Sequence, residues 1–228
     1  MSVPDRKTRG LLRDILDTCE YEIPRGGSFE GSGAPGLYLE HLLGLETSNR
    51  DIPDAGAWEL KFSGGNSLLT LFHKTPQPHA SMRYIVNRWG WTGRNGRQSF
   101  RHTICGQSDR FEVFDEANAI RVRRTGHDDV APWWHHDDLI TAFARKLGKL
   151  ILVGGKYTPR TRIVRYESAE YLSEARTTNL IRAIVSGQVC IDFDAYIRES
   201  GAVRDHGTKF RIKPEDLRAI YSSREAAR

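Results

Sequence analysis

Apolar residues recur every three to four positions across residues 5 to 20, DRKTRGLLRDILDTCE. That spacing places Leu11, Leu12, Ile15 and Leu16 on one face of a predicted helix. A loop with five glycines follows, PRGGSFEGSGAPG, and Pro35 opens a second helix, PGLYLEHLLG, which Gly44 closes. The pattern then shortens to period two in AWELKF and SLLTLFHK, which predicts strands. Residues 81 to 91 read as a helix carrying Arg83, Arg88, Trp89 and Trp91. GRNGRQSFRHTICG reads as a basic turn running into a strand, and RFEVFDEANAIRVRR as two strands around a turn at 116 to 118. Asp137 or Asp138 is expected to cap a helix, DLITAFARKLG, with Trp133 and Trp134 packed at its start. The strands KLILVGGKYT and TRIVRYESAEYL and the helix TTNLIRAIVSG follow, and QVCIDFDAYI and GTKFRIKPEDLRAIY complete the chain as strand, turn, strand and helix. Helices and strands alternate irregularly, which predicts a mixed α/β fold, a sheet flanked by helices with several antiparallel strands. No repeat or linker marks a boundary inside residues 1–228.

The 228 residues, 39% hydrophobic and 28% charged, suit one globular domain or one domain of two lobes. No apolar run approaches the roughly 20 residues of a spanning helix. The first ten residues, MSVPDRKTRG, lack a signal-peptide core, so no membrane association and a cytoplasmic location are expected. Cys19, Cys105 and Cys190 are scattered and odd in number, and are expected to be small buried hydrophobes without a disulfide. Lys and Arg number 34 against 29 Asp and Glu, a net charge of +5, which permits a polyanionic partner without requiring one.

The segment IPDAGAWELK carries the densest candidate chemistry. On a strand, Trp58, Leu60 and Phe62 share one face, while Glu59 and Lys61 share the other. Asp54 precedes the strand by a turn through Gly56 that can return it beside Glu59. A half-exposed strand with a surface ion pair is the plain reading. The alternative is a nuclease site. Two converging carboxylates repel unless a cation sits between them, and an oxygen-rich set of this kind suits Mg²⁺. Lys61 would orient a nucleophilic water and offset charge building on phosphorus. Glu40 borders the apolar stripe of the preceding helix. Its spacing fits a solvated position as well as one facing the same site.

PD followed by ELK matches the PD-(D/E)xK nuclease pattern, which is short. The longer string GAPGLYLEHLLGLETSNRDIPDAGAWELKF resembles the MutH-related group. SLLTLFHKTP and RDHGTKFRI are similar to the MvaI/BcnI family of type II restriction endonucleases, and the similarity runs from about residue 26 to 220. The resemblance implies a restriction-endonuclease-like PD-(D/E)xK core with a DNA-recognition lobe across a cleft. It makes Asp54 and Glu59 the metal ligands for Mg²⁺ and Lys61 the catalytic lysine. Glu40 becomes a supporting catalytic carboxylate. It also implies a monomer that acts on short, near-palindromic sites in double-stranded DNA, nicking one strand at a time, in a cell with a companion DNA methyltransferase.

Two basic segments are candidates for reading DNA. RWGWTGRNGRQSFRH sets Arg88, Arg94, Arg97 and Arg101 among glycines and aromatics, which suits phosphate contact or groove insertion. VRDHGTKFRI carries Arg204, His206, Lys209 and Arg211. By spacing it is a hairpin with exposed charges, and the resemblance gives His206 and its neighbours a base-edge role. His73 and His79 follow the catalytic strand, and spacing does not choose between them for the minor groove. HDDVAPWWHHDD has metal-ligand residue types, but Asp137 and Asp138 are explained by a helix N-terminus. The expected function is a Mg²⁺-dependent, sequence-specific restriction endonuclease. The alternatives are a MutH-like strand-nicking repair enzyme and a non-cleaving DNA-binding protein.

Overall fold

A computed structural model describes residues 2–45, 53–65, 67–93, 96–128 and 132–227. From the N-terminus the elements are α1 (Arg6–Asp17), β1 (Tyr21–Glu22), α2 (Ala34–Leu42), β2 (Glu59–Ser63), β3 (Leu69–His73) and α3 (Ser81–Trp89). Then come β4 (Trp91–Thr92), β5 (Gln98–Ile104), β6 (Phe111–Glu116), β7 (Ala119–Arg124), β8 (Trp133–His135) and α4 (His136–Leu147). The remainder is β9 (Leu150–Thr158), β10 (Ile163–Ala175), α5 (Thr177–Val185), β11 (Val189–Ile197), β12 (Val203–Asp205), β13 (Lys209–Ile212), a 3-10 helix (Pro214–Ala219) and β14 (Tyr221–Ala226).

The chain folds into two compact units. The first holds residues 1–69, 144–176 and 221–228, and the second holds 70–143 and 177–220.

The first unit is built on a sheet in the order β1-β10-β9-β2, with β14 also paired to the long strand β10. β2 and β9 run parallel, in the register Leu60↔Ile151 and Phe62↔Val153. α1 and α2 bury Leu12, Ile15, Leu16 and Leu39 with Trp58, just ahead of β2, and with Leu60, Ile151 and Tyr166 of that sheet. α1 starts where Asp5 caps it, its side chain accepting from the Thr8 amide at 2.9 Å. Pro35 lies in the first turn of α2, and Tyr166 Oη donates to its carbonyl at 2.8 Å from inside the core. Arg162 clamps the glycine-rich loop. It donates to the carbonyls of Ile23, Pro24 and Phe29 at 3.0, 2.7 and 2.7 Å and pairs with Glu30.

The second unit carries a six-stranded sheet in the order β3-β13-β11-β5-β4, with β12 on β11, and a three-stranded sheet β6-β7-β8. Phe100, Ile191, Phe193 and Phe210 are buried on one face of the larger sheet. Ala117 and Asn118 both take positive φ, and this tightens the β6–β7 turn to two residues.

The structure departs from the sequence pattern at several points. Trp133 and Trp134 are strand residues of β8, which leads directly into α4. Trp134 is buried and donates from Nε1 to the Lys74 carbonyl at 2.9 Å. α4 therefore begins at His136, and Asp137 and Asp138 fall in its first turn rather than at its cap. Trp91 leaves the predicted helix for β4, and PEDLRAIY forms a short 3-10 helix and the start of β14. Cys105 and Cys190 form a disulfide, and Cys19 is exposed. Ile104 stands opposite Ile191 across β5 and β11, so the next residue pair in register is Cys105 and Cys190. Their separation of 85 residues hides that adjacency from the sequence.

Candidate active site

The candidate site is built where the turn 53–58 feeds β2. Ala55 and Trp58 pair their backbones at 2.8 and 3.0 Å, and Gly56 takes φ +64°, a conformation open to glycine at little cost. This turn brings Asp54 back onto the strand, where its Oδ2 accepts the Leu60 amide at 3.1 Å. The Glu59 amide donates to the Lys149 carbonyl at 2.9 Å, so β2 begins locked to the loop ahead of β9.

Glu59 is not half-exposed, as an ordinary strand of this pattern would leave it. Its residue is 0% exposed. The register explains why: Leu150 and Leu152 stand beside Glu59 and Lys61 on β9, and both are buried, so this face of the sheet is covered too. Lys61 Nζ lies 2.5 Å from Glu59 Oε1, and Lys146 Nζ of α4 lies 3.6 Å from the same oxygen. Oε2 has no hydrogen-bond partner among the described residues. Burial pushes the Glu59 carboxyl up to about 7. The charge and hydrogen bond of Lys61 pull against that rise, the Asp54 carboxylate adds to it, and Lys146 opposes it. Glu40 is half-buried on α2 and is also raised, first by burial and then by Asp54, with Lys61 and Lys146 opposing. Glu40, Asp54, Glu59, Lys61 and Lys146 thus act on one another electrostatically. A carboxylate oxygen that is buried, ionisable and unbonded is what a hard cation takes as a ligand, so these residues fit a divalent metal. Among the described residues no three His, Cys, Asp or Glu side chains close around one point.

Lys146 was not legible in the sequence. It lies in the last turn of α4, where a cation is ordinary. Nothing local signals that the helix end delivers it to Glu59.

The DNA-reading candidates lie in the second unit. Arg204 is on β12, Lys209 and Arg211 are on β13, and His206 lies between these strands, its amide donating to the Asp194 carbonyl at 2.9 Å. Gly207 takes φ +87°, where any other residue is strained, and a Cβ there would meet the His73 ring at 3.1 Å, so His73 lies against the His206 segment. His79 is exposed ahead of α3. The Arg97 guanidinium lies 5.4 Å from the Tyr196 ring centroid. Together with Trp91, Ser99 and Arg101 they line a hollow of about 180 Å³. Arg94 lies outside the described residues. Asp192 and Asp194 carry no local signal in the sequence, yet Arg101, Lys209 and Arg211 all pair with them.

The mixed α/β architecture of sheets and helices is that of a restriction endonuclease. The MvaI/BcnI restriction endonuclease family model matches residues 20–221, and the chain belongs to that family. It is accordingly a site-specific deoxyribonuclease, of a family that binds DNA and generally uses a divalent metal ion. Among solved structures, the chain is similar to the restriction endonuclease MvaI-cognate DNA substrate complex, with 23% identity, a TM-score of 0.83 and 100% of each chain covered. It is also similar to the restriction endonuclease MvaI in the absence of DNA, with 21% identity, a TM-score of 0.60 and 100% of each chain covered. Comparison with curated proteins gives no significant match. No helix among the described residues is long and apolar enough to cross a membrane.

Proposed function

We propose that this enzyme is a Mg²⁺-dependent PD-(D/E)xK nuclease that hydrolyses phosphodiester bonds within a short, near-palindromic site in double-stranded DNA. It acts as a cytoplasmic monomer beside a methyltransferase that protects the host. The observation that carries the reading is the approach of Lys61 to within 2.5 Å of a buried Glu59, with Asp54 tethered to the same strand at Leu60.

Asp54 and Glu59 would hold the metal, with Glu40 as a supporting carboxylate. When bound, Mg²⁺ supplies Lewis acidity toward a phosphate oxygen and toward water. Lys61 holds the attacking water in place and offsets the charge that develops on phosphorus. Lys146 keeps Glu59 ionised once the site is wet. In the second unit, His206, Arg204, Lys209 and Arg211 read base edges, and Arg94 and Arg97 contact the backbone. Of the two histidines left open by spacing, His73 is favoured over His79 because it lies against Gly207.

Digestion of a DNA of known sequence, with and without Mg²⁺, followed by sequencing of the ends, tests the reading. Lys61→Ala and Asp54→Ala should keep DNA binding and lose cleavage by about 10²–10³-fold or more. Cleavage by either variant at the wild-type rate would overturn the site. Single-strand nicks alone on mismatch-free plasmid would favour a MutH-like repair enzyme, and binding without any cut would favour an inert DNA-binding protein.

A further inference from the structure

The polar face of the six-stranded sheet is built in rungs. Strand register sets Thr103, Asp192 and Lys209 side by side, then Arg101 beside Asp194, then Ser99, Tyr196 and Arg204, with Arg211 opposite Cys190 at the other end. Residues directly opposite on antiparallel strands share a face, so these side chains form one surface. At its centre Asp192 accepts from Thr103 Oγ1 at 2.7 Å through Oδ1. Its Oδ2 accepts from Arg211 Nη1 at 3.2 Å and lies 4.0 Å from Lys209 Nζ. The Asp192 side chain is 15% exposed, whereas those of Arg211 and Lys209 are 29% and 25% exposed. The anion is the most enclosed of the three groups.

A face that only attracted phosphate would gain nothing from carboxylates at its centre. Each anion repels the DNA backbone and lowers what its partner cations offer a phosphate. An ordinary solvated ion pair does not need a half-buried, hydroxyl-oriented carboxylate either. What Asp192 does supply is direction. A guanidinium held in one orientation loses less rotamer freedom on binding and presents its donors at fixed points. Arg and Lys donors at fixed points match the O6 and N7 acceptors of guanine in the major groove.

We propose that Asp192, oriented by Thr103, is a positioning residue that sets Arg211 and Lys209 for reading guanine, and so determines specificity rather than affinity. The inference rests on that part of the proposed function in which Lys209 and Arg211 read base edges of DNA, and not on the cleavage step.

The test is selection from a random duplex pool with Ca²⁺ in place of Mg²⁺, so that bound DNA survives. Wild type should enrich a defined site. Asp192→Asn should lose preference at a G·C pair of that site by about tenfold or more. Its binding to an unselected duplex should stay within about twofold or tighten, because an anion has left the surface. Thr103→Val should weaken preference at the same pair by less. Should Asp192→Asn fail to fold on melting, Thr103→Val decides. The proposal is overturned by full retention of preference, by an equal loss of affinity for all duplexes, by a loss confined to an A·T pair, or by a wild type that selects nothing. Selective binding without cleavage in Mg²⁺ would sink the nuclease reading and leave this one standing. Cleavage without preference would do the reverse.

Discussion

Lys61 Nζ lies 2.5 Å from Oε1 of Glu59, a carboxylate sealed from solvent, and that pair sets the pH response of the protein. Burial raises the Glu59 carboxyl from its ordinary 4.5 to about 7, the opposing pull of Lys61 notwithstanding. A group whose folded pKa is raised binds its proton more tightly in the folded state. Its contribution is full below 4.5 and is lost as the pH climbs to about 7. The melting temperature of metal-free wild type should therefore fall, relative to Glu59→Gln, across that window and run parallel to it above. Calorimetry of both proteins over the pH series checks this. Parallel curves throughout would mean that Glu59 is not desolvated as described.

Lys146 reaches Glu59 at 3.6 Å from a helix that the active-site pattern does not include. Lys146→Met removes one of the two ammonium groups that keep the carboxylate charged. Metal affinity or cleavage should drop by about 10–100-fold, less than for Lys61→Ala. Steady-state cleavage over a magnesium titration measures the drop.

Tyr166 Oη holds the carbonyl of Pro35 at 2.8 Å, and so anchors the start of the helix that carries Glu40. Tyr166→Phe leaves that carbonyl unbonded in the core. The expected loss is about 1 kcal/mol, read as a melting temperature lower by about 2–4 °C.

Arg162 satisfies three carbonyls of the segment 23–29. Arg162→Met should destabilise the protein by about 3 kcal/mol. It should also open residues 24–33 to protease, which limited proteolysis with mass mapping will locate.

The Cys105–Cys190 link closes a long loop of chain across β5 and β11. Reduction should destabilise the fold by about 2–4 kcal/mol. Denaturant unfolding with and without dithiothreitol measures this, and intact mass under non-reducing conditions reports whether the link has formed.

Periodicity and residue type alone determined the helical face of Leu12, Ile15 and Leu16, the strand of Trp58, Leu60 and Phe62, and the turn before it, because these depend on neighbours within a few positions. The same local order put Asp54, Glu59 and Lys61 on one short segment, and the family resemblance was carried by that string. Tertiary structure alone decided that Glu59 is buried on both sides, that Lys146 joins it, that Cys105 meets Cys190, and that Asp192 gathers Thr103, Lys209 and Arg211. Each of these is a meeting of strands or helices tens of residues apart. Pattern tells which face of an element is apolar, but register and packing choose which distant side chain stands opposite, and a shift of one residue would exchange every such partner.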